Sequence, residues 1–111
     1  MSKYLKVIDH INTLANAKGY HLTGVGDGEE YLGAKGQTLP ALYDWATQCD
    51  CGTLNYKNEI GDSMTFYLIY GNAIYETIAD GGYNTKQAET DWDSIADDVY
   101  NHFEALSREY N

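Results

Sequence analysis

The stretch SMTFYLIYGNAIYETIA, residues 63–79, reads as a β-hairpin. Its first half, residues 63–70, is rich in β-branched and aromatic side chains, and it alternates. Met64, Phe66, Leu68 and Tyr70 fall on one face of a strand. Residues 73–79 read as the partner strand, with Ile74 and Ile78 sharing a face. Gly71-Asn72 stands between them, and both residues tolerate positive φ, so the spacing predicts a two-residue hairpin turn. One face is expected to lie under helices, while Thr65, Tyr67, Tyr75 and Thr77 show on the other. A hairpin at the centre of the chain implies an antiparallel sheet.

Working outward, TLNYK (53–57) and YHLTGV (20–25) read as further strands. GVGDGEEYLGAKGQ reads as a loop or loose hairpin, with a short strand near Tyr31 and Leu32. Residues 2–18 predict a first helix. Ser2 is its N-cap, Tyr4, Leu5, Ile8, Ile11 and Ala15 form its apolar stripe, and Gly19 is a left-handed terminator. TLPALYDWATQ predicts a short helix capped by Thr38, with Pro40 in the first turn and Leu39, Leu42, Tyr43 and Ala46 on its inner face. ADGGYNTKQAE reads as a broken lead into a last helix, residues 90–111. Thr90 and Asp93 form its capping box, and its inner face is Trp92, Ile95, Ala96, Val99, Phe103, Leu106 and Tyr110.

The expected fold is therefore α+β. An antiparallel sheet of three to five strands carries the N- and C-terminal helices on one face, with a short middle helix. Length, near-normal apolar content and the lack of any linker or repeat make residues 1–111 one domain. No run has the features of a signal peptide or a bilayer span, and two cysteines are too few for a disulfide framework. Both points lead to the expectation of a cytoplasmic protein.

The formal net charge is −10, and it is unevenly placed. Residues 1–26 carry three lysines against one aspartate, while residues 76–111 carry nine acids against Lys86 and Arg108. Such a surface repels nucleic acid and anionic membranes and attracts basic proteins. Solubility alone is the bland explanation. The last helix argues for more. Asp93, Asp97 and Glu104 project along one flank, and Asp91, Asp98 and Glu109 along the other. Only Glu104 has a cation four residues on, Arg108, so the helix forgoes the local pairing that would stabilise it. At a rise of about 1.5 Å per residue, Asp93 and Asp97 are offset by about 6 Å. Phosphates repeat every ~3.4 Å along a duplex strand, so the acids come near every second phosphate. Glu76 and Asp80 add charge nearby, and Tyr67 and Tyr75 supply aromatic anchors of the kind that carry protein interfaces.

Other motifs lack the residues their chemistry needs. In GVGDGEE, Glu29 stands where a dinucleotide loop requires its third glycine, and no Lys-Ser/Thr follows for a P-loop. Cys49-Asp50-Cys51 has no second cysteine pair for zinc, although His10, His21 or His102 can complete such a set in space. No cofactor, metal or catalytic site is expected, and no enzymatic activity.

In size, charge and helix–sheet–helix layout with acids massed at the C-terminal end, the chain resembles the small acidic anti-CRISPR and antirestriction proteins of phages and mobile elements. The resemblance implies a stoichiometric inhibitor that mimics DNA. It would occupy the basic nucleic-acid site of a CRISPR effector or restriction enzyme in a bacterial host. Three alternatives stand beside it. One is an immunity protein for a nuclease toxin. Another is a small ligand-binding or enzymatic domain using Gly24 to Glu30 with His21 or Tyr31. The last is an accessory subunit with a solvated acidic face.

Overall fold

Residues 3–109 are described by a computed structural model, with side chains to Arg108. The expected cap at Ser2, the inner-face Tyr110 and the carboxylate of Glu109 lie outside the described residues. The elements run α1 (Tyr4–Ala17), β1 (His21–Gly26), β2 (Tyr31–Gly33), α2 (Leu39–Ala46), β3 (Cys51–Lys57), β4 (Ser63–Ile69), a 3₁₀ turn (Ile74–Glu76), β5 (Ile78–Tyr83) and α3 (Lys86–Glu109). The strands form one antiparallel sheet in the order β2-β1-β3-β4-β5. The architecture is α+β, as the central strands imply.

One face of the sheet is buried. Val25, Leu54, Tyr56, Met64, Phe66 and Leu68 pack there against Ile8 and Ile11 of α1, Leu42 of α2, and Ile95 and Val99 of α3. The opposite face carries Thr53, Asn55, Thr65, Tyr67 and Ile69, set in register across β3 and β4. Asn55 and Thr65 face each other there and share a hydrogen bond of 2.7 Å.

The helix ends follow local chemistry. Gly19 adopts φ +91°, and Tyr20 N–H reaches back to Ala15 O, closing α1 in a Schellman arrangement. Thr38 Oγ1 accepts from Ala41 N–H and caps α2. On α1, Val7 and Asn12 are buried with Ile8, Ile11 and Ala15, while Tyr4 and Leu5 are only half-buried. The buried Asn12 accepts from the hydroxyl of Tyr56 at 3.1 Å. That tyrosine belongs to the core. Leu39 and Leu106 of the expected inner faces are exposed.

Two expectations are corrected. The partner of β4 is Ile78–Tyr83, not residues 73–79, and Gly71-Asn72 is not a two-residue turn. The connection is longer because Ile74 and Tyr75 leave the sheet to pack on the core as a 3₁₀ turn. Buried Thr77 closes that turn through its hydroxyl to Ile74 O, and its own carbonyl accepts from Ile69 N–H. Tyr75 and Thr77 are therefore not on the open sheet face. The second correction concerns α3, which begins at Lys86. Thr85 is its cap, since Ala88 N–H donates to Thr85 Oγ1 at 3.1 Å. Thr90 lies inside the helix and donates to Lys86 O. The capping box at Thr90 and Asp93 does not form.

No helix among the described residues is long and apolar enough to cross a membrane.

Candidate functional site: the seam between β5 and the last helix

Trp92 sets the position of α3. Its ring stacks on Phe66 with centroids 5.4 Å apart, and its indole N–H donates to Thr65 O at 2.9 Å. The indole also presses onto the backbone of Gly81, where a Cβ would meet ring atoms at 2.2 Å. Ala88, Ile95, Val99 and Phe103 continue the buried stripe. With that stripe fixed, the acids divide between two flanks.

On the flank facing α1, Asp91 and Asp98 have partners from the same chain. Asp91 accepts from the hydroxyl of Tyr20 at 2.7 Å and from Gln87 Nε2 at 3.1 Å. Burial, then the bond to Asp91, pushes the Tyr20 hydroxyl well above its ordinary range. Asp98 contacts His10 Nε2 at 2.9 Å, and the His10 ring stacks on His102 at 4.4 Å. Asp91 and Asp98 are thus held by the protein's own donors, and they are not free members of a second acidic column.

The flank facing β5 is different. Asp93 and Asp97 are exposed, and neither makes an ion pair among the described residues. Asp97 borders a shallow cleft with Tyr75, Ile78, Trp92 and Tyr100. Tyr75 and Tyr100 meet edge to face at 5.3 Å, so Tyr75 belongs to this seam. Tyr100 and Tyr83 are both nearly half exposed. Glu89 pairs with Lys86 at 2.8 Å, and Lys86 first, then the Tyr83 hydroxyl, hold its carboxyl below the usual range. The same bond to Glu89, reinforced by Asp93 and Asp80, raises Tyr83. Glu76 is exposed on the 3₁₀ turn that packs against α3. Asp80 lies across from Tyr67 at the sheet edge. Tyr67 itself is on the open face of the sheet, apart from the acids of α3. Glu104 is paired with Arg108 at 2.6 Å.

Tyr83, Glu89, Trp92 and Tyr100 were not foreseen as parts of this site. The sequence does hold the signal. Ala88, Trp92, Ile95, Val99 and Phe103 keep helical spacing, and that spacing carries the helix back past Thr90.

Gly24 to Gly26 belong to β1, and Asp27 to Glu30 form the acidic hairpin loop that follows at the far side of the sheet. Asp27 Oδ1 accepts from Glu29 N–H at 2.9 Å and Glu30 N–H at 2.8 Å. These bonds, Glu30 first, hold Asp27 below the usual carboxylate range. The backbone donors that a phosphate would use are occupied by the loop's own carboxylate. Nearby, desolvation first, then Asp27, Glu29, Cys51 and Asp50, pushes the Cys49 thiol up, which lowers its thiolate fraction. Among the described residues no group of three or more His, Cys, Asp and Glu side chains is placed to hold a metal ion.

Comparison with protein-family models, with curated proteins and with solved structures found no match.

Proposed function

We propose that this protein is a stoichiometric inhibitor that presents an acidic, DNA-like surface to a basic nucleic-acid-binding protein. The partner class is a CRISPR effector or a restriction enzyme in the cytoplasm of a bacterial host. The surface is the β5-facing flank of α3 with the neighbouring strand edge: Asp93 and Asp97, with Glu76 and Glu89 beside them and Asp80 at the edge of β5, on the face that Tyr67 shares. Tyr83 and Tyr100 add exposed aromatic area among these acids.

One observation carries the reading. Asp93 and Asp97 stand one turn apart, exposed and outside any ion pair among the described residues, while Asp91 and Asp98 on the opposite flank have partners from the same chain. Like charges on one face repel, and a groove lined with Lys and Arg relieves that repulsion on binding. The loop from Gly24 to Glu30 favours this reading over a nucleotide-binding one, because Asp27 fills its donor nest.

The test is capture from host lysate on immobilised protein at low salt, followed by a salt gradient. A DNA-binding defence complex is expected to be retained and to elute as salt rises, since screening lengths fall from about 10 Å at 0.1 M to about 3 Å at 1 M. The complex is also expected to release bound duplex when the protein is added at stoichiometric amounts. If nothing that binds DNA is retained, or if the retained complex keeps its duplex, the reading is wrong.

A further inference from the structure

β5 is one of the two edges of the sheet, and among the described residues no strand meets its outer side. Beyond β5, Asn84 N–H donates to Ser63 O, toward β4. In the alternation of an antiparallel ladder, Gly82 and Asp80 then also turn their N–H and C=O groups toward β4, while Gly81 and Tyr83 turn theirs outward. A hydrogen bond agrees with this parity: Gly81 N–H donates to the carboxylate of Asp80 at 2.8 Å. An open edge with outward donors and acceptors is a template for another strand.

The usual protections are weak here. Ile78–Tyr83 contains no proline and no lysine. Its bulge lies at the start of the strand, between the pairs Leu68–Ile78 and Tyr67–Asp80. Gly81 and Gly82 have no side chains to stand in the way. The other edge, β2, is three residues long and offers little to pair with.

Charge selects the occupant. Asp80 stands at this edge, and Glu89 and Asp93 act on Tyr83 from the helix side. A second copy pairing edge to edge would bring these acids against their own equivalents, which is unfavourable. A strand bearing Lys or Arg meets acids instead. We propose that β5 is the docking edge for an extended, Lys/Arg-bearing segment of the partner, which adds a sixth strand through the outward groups of Gly81 and Tyr83. Asp80 occupies the Gly81 N–H until an incoming carbonyl replaces it. This deepens the function proposed above and rests on it for the partner's charge.

The probe is a synthetic peptide alternating Lys and Arg with Val and Thr. Its control has the same sequence, N-methylated at every amide, so that charge is kept and neither side of the strand can pair. The unmodified peptide is expected to bind the intact protein at least about tenfold more tightly than the methylated form, since main-chain bonds supply the affinity in strand addition. It is also expected to slow amide exchange at Gly81 and Tyr83. Equal affinities, no binding by any peptide, or unprotected amides at those residues would overturn the proposal. Protection at Gly81 and Tyr83 that grows with protein concentration alone would assign the edge to a second copy, and would overturn it too. The variant D80N/D93N/D97N separates the two readings. If it binds the unmodified peptide as wild type does while methylation still weakens binding, the edge stands and the electrostatic function falls. If it loses binding while methylation has no effect, the reverse holds.

Discussion

Gly81 shows how a single residue misleads when it is read locally. In sequence, the Asp80-Gly81-Gly82 run looks like a break, because glycine weakens strands. In the fold it is a strand residue whose missing side chain leaves room for the Trp92 ring. The reason lies eleven positions further along the chain, so no local reading contains it. Gly81→Ala is expected to displace the indole and lose its bond to Thr65, at a cost of about 1–3 kcal/mol in denaturant unfolding. Tyr56→Phe is expected to leave the buried Asn12 oxygen without its donor, a loss of about 1–3 kcal/mol by the same measurement. The tyrosines also give a pH signature. Burial first raises Tyr20, Tyr43, Tyr56 and Tyr70. Their folded values lie above the unfolded value of about 10, so the stability they contribute is complete below that pH and is lost as pH rises further. Tyrosinate absorbance from these four is expected to appear together with loss of helical circular dichroism in alkali. Full ionisation with the fold intact would contradict their burial.

At the scale of elements, the alternation in residues 63–70 and the caps at Gly19 and Thr38 were legible, because strand period and cap chemistry are local. The partner of β4 was not. Residues 73–77 have strand composition, yet Ile74 and Tyr75 turn onto the core, and Tyr75 meets Tyr100 of α3. Tertiary packing overrode turn propensity there. The start of α3 was also displaced, because Thr85 and Thr90 are both plausible caps in sequence. The hydrogen bonds separate them. Thr85→Ala removes the contact to Ala88 N–H and the bond to the buried Asp62, and is expected to cost about 1–2 kcal/mol. Thr90→Ala, at an exposed position, is expected to change stability by less than about 0.5 kcal/mol. Equal effects would contradict the assigned helix start.

Across the whole molecule, the charge was legible but its distribution was not. A helical projection yields two columns of acids on α3, and it says nothing of what each column faces. The fold brings Tyr20 and His10 to Asp91 and Asp98, so the acids of the two columns differ in what they face. It also places Asp27, Glu29 and Glu30 on the hairpin joining β1 and β2, four strands away from the β5 edge, so the acids are not all in one patch. The proposed function rests on the division between Asp91 and Asp98, which have partners in the chain, and Asp93 and Asp97, which make no ion pair among the described residues. It is tested most directly by titrating duplex-loaded defence complex, as retained in the low-salt capture, with three proteins: wild type, D80N/D93N/D97N and D98N. The triple variant is expected to need at least about tenfold more protein to release the duplex, while D98N matches wild type. Release by the triple variant at wild-type concentrations, or an equal loss in D98N, would contradict the claim.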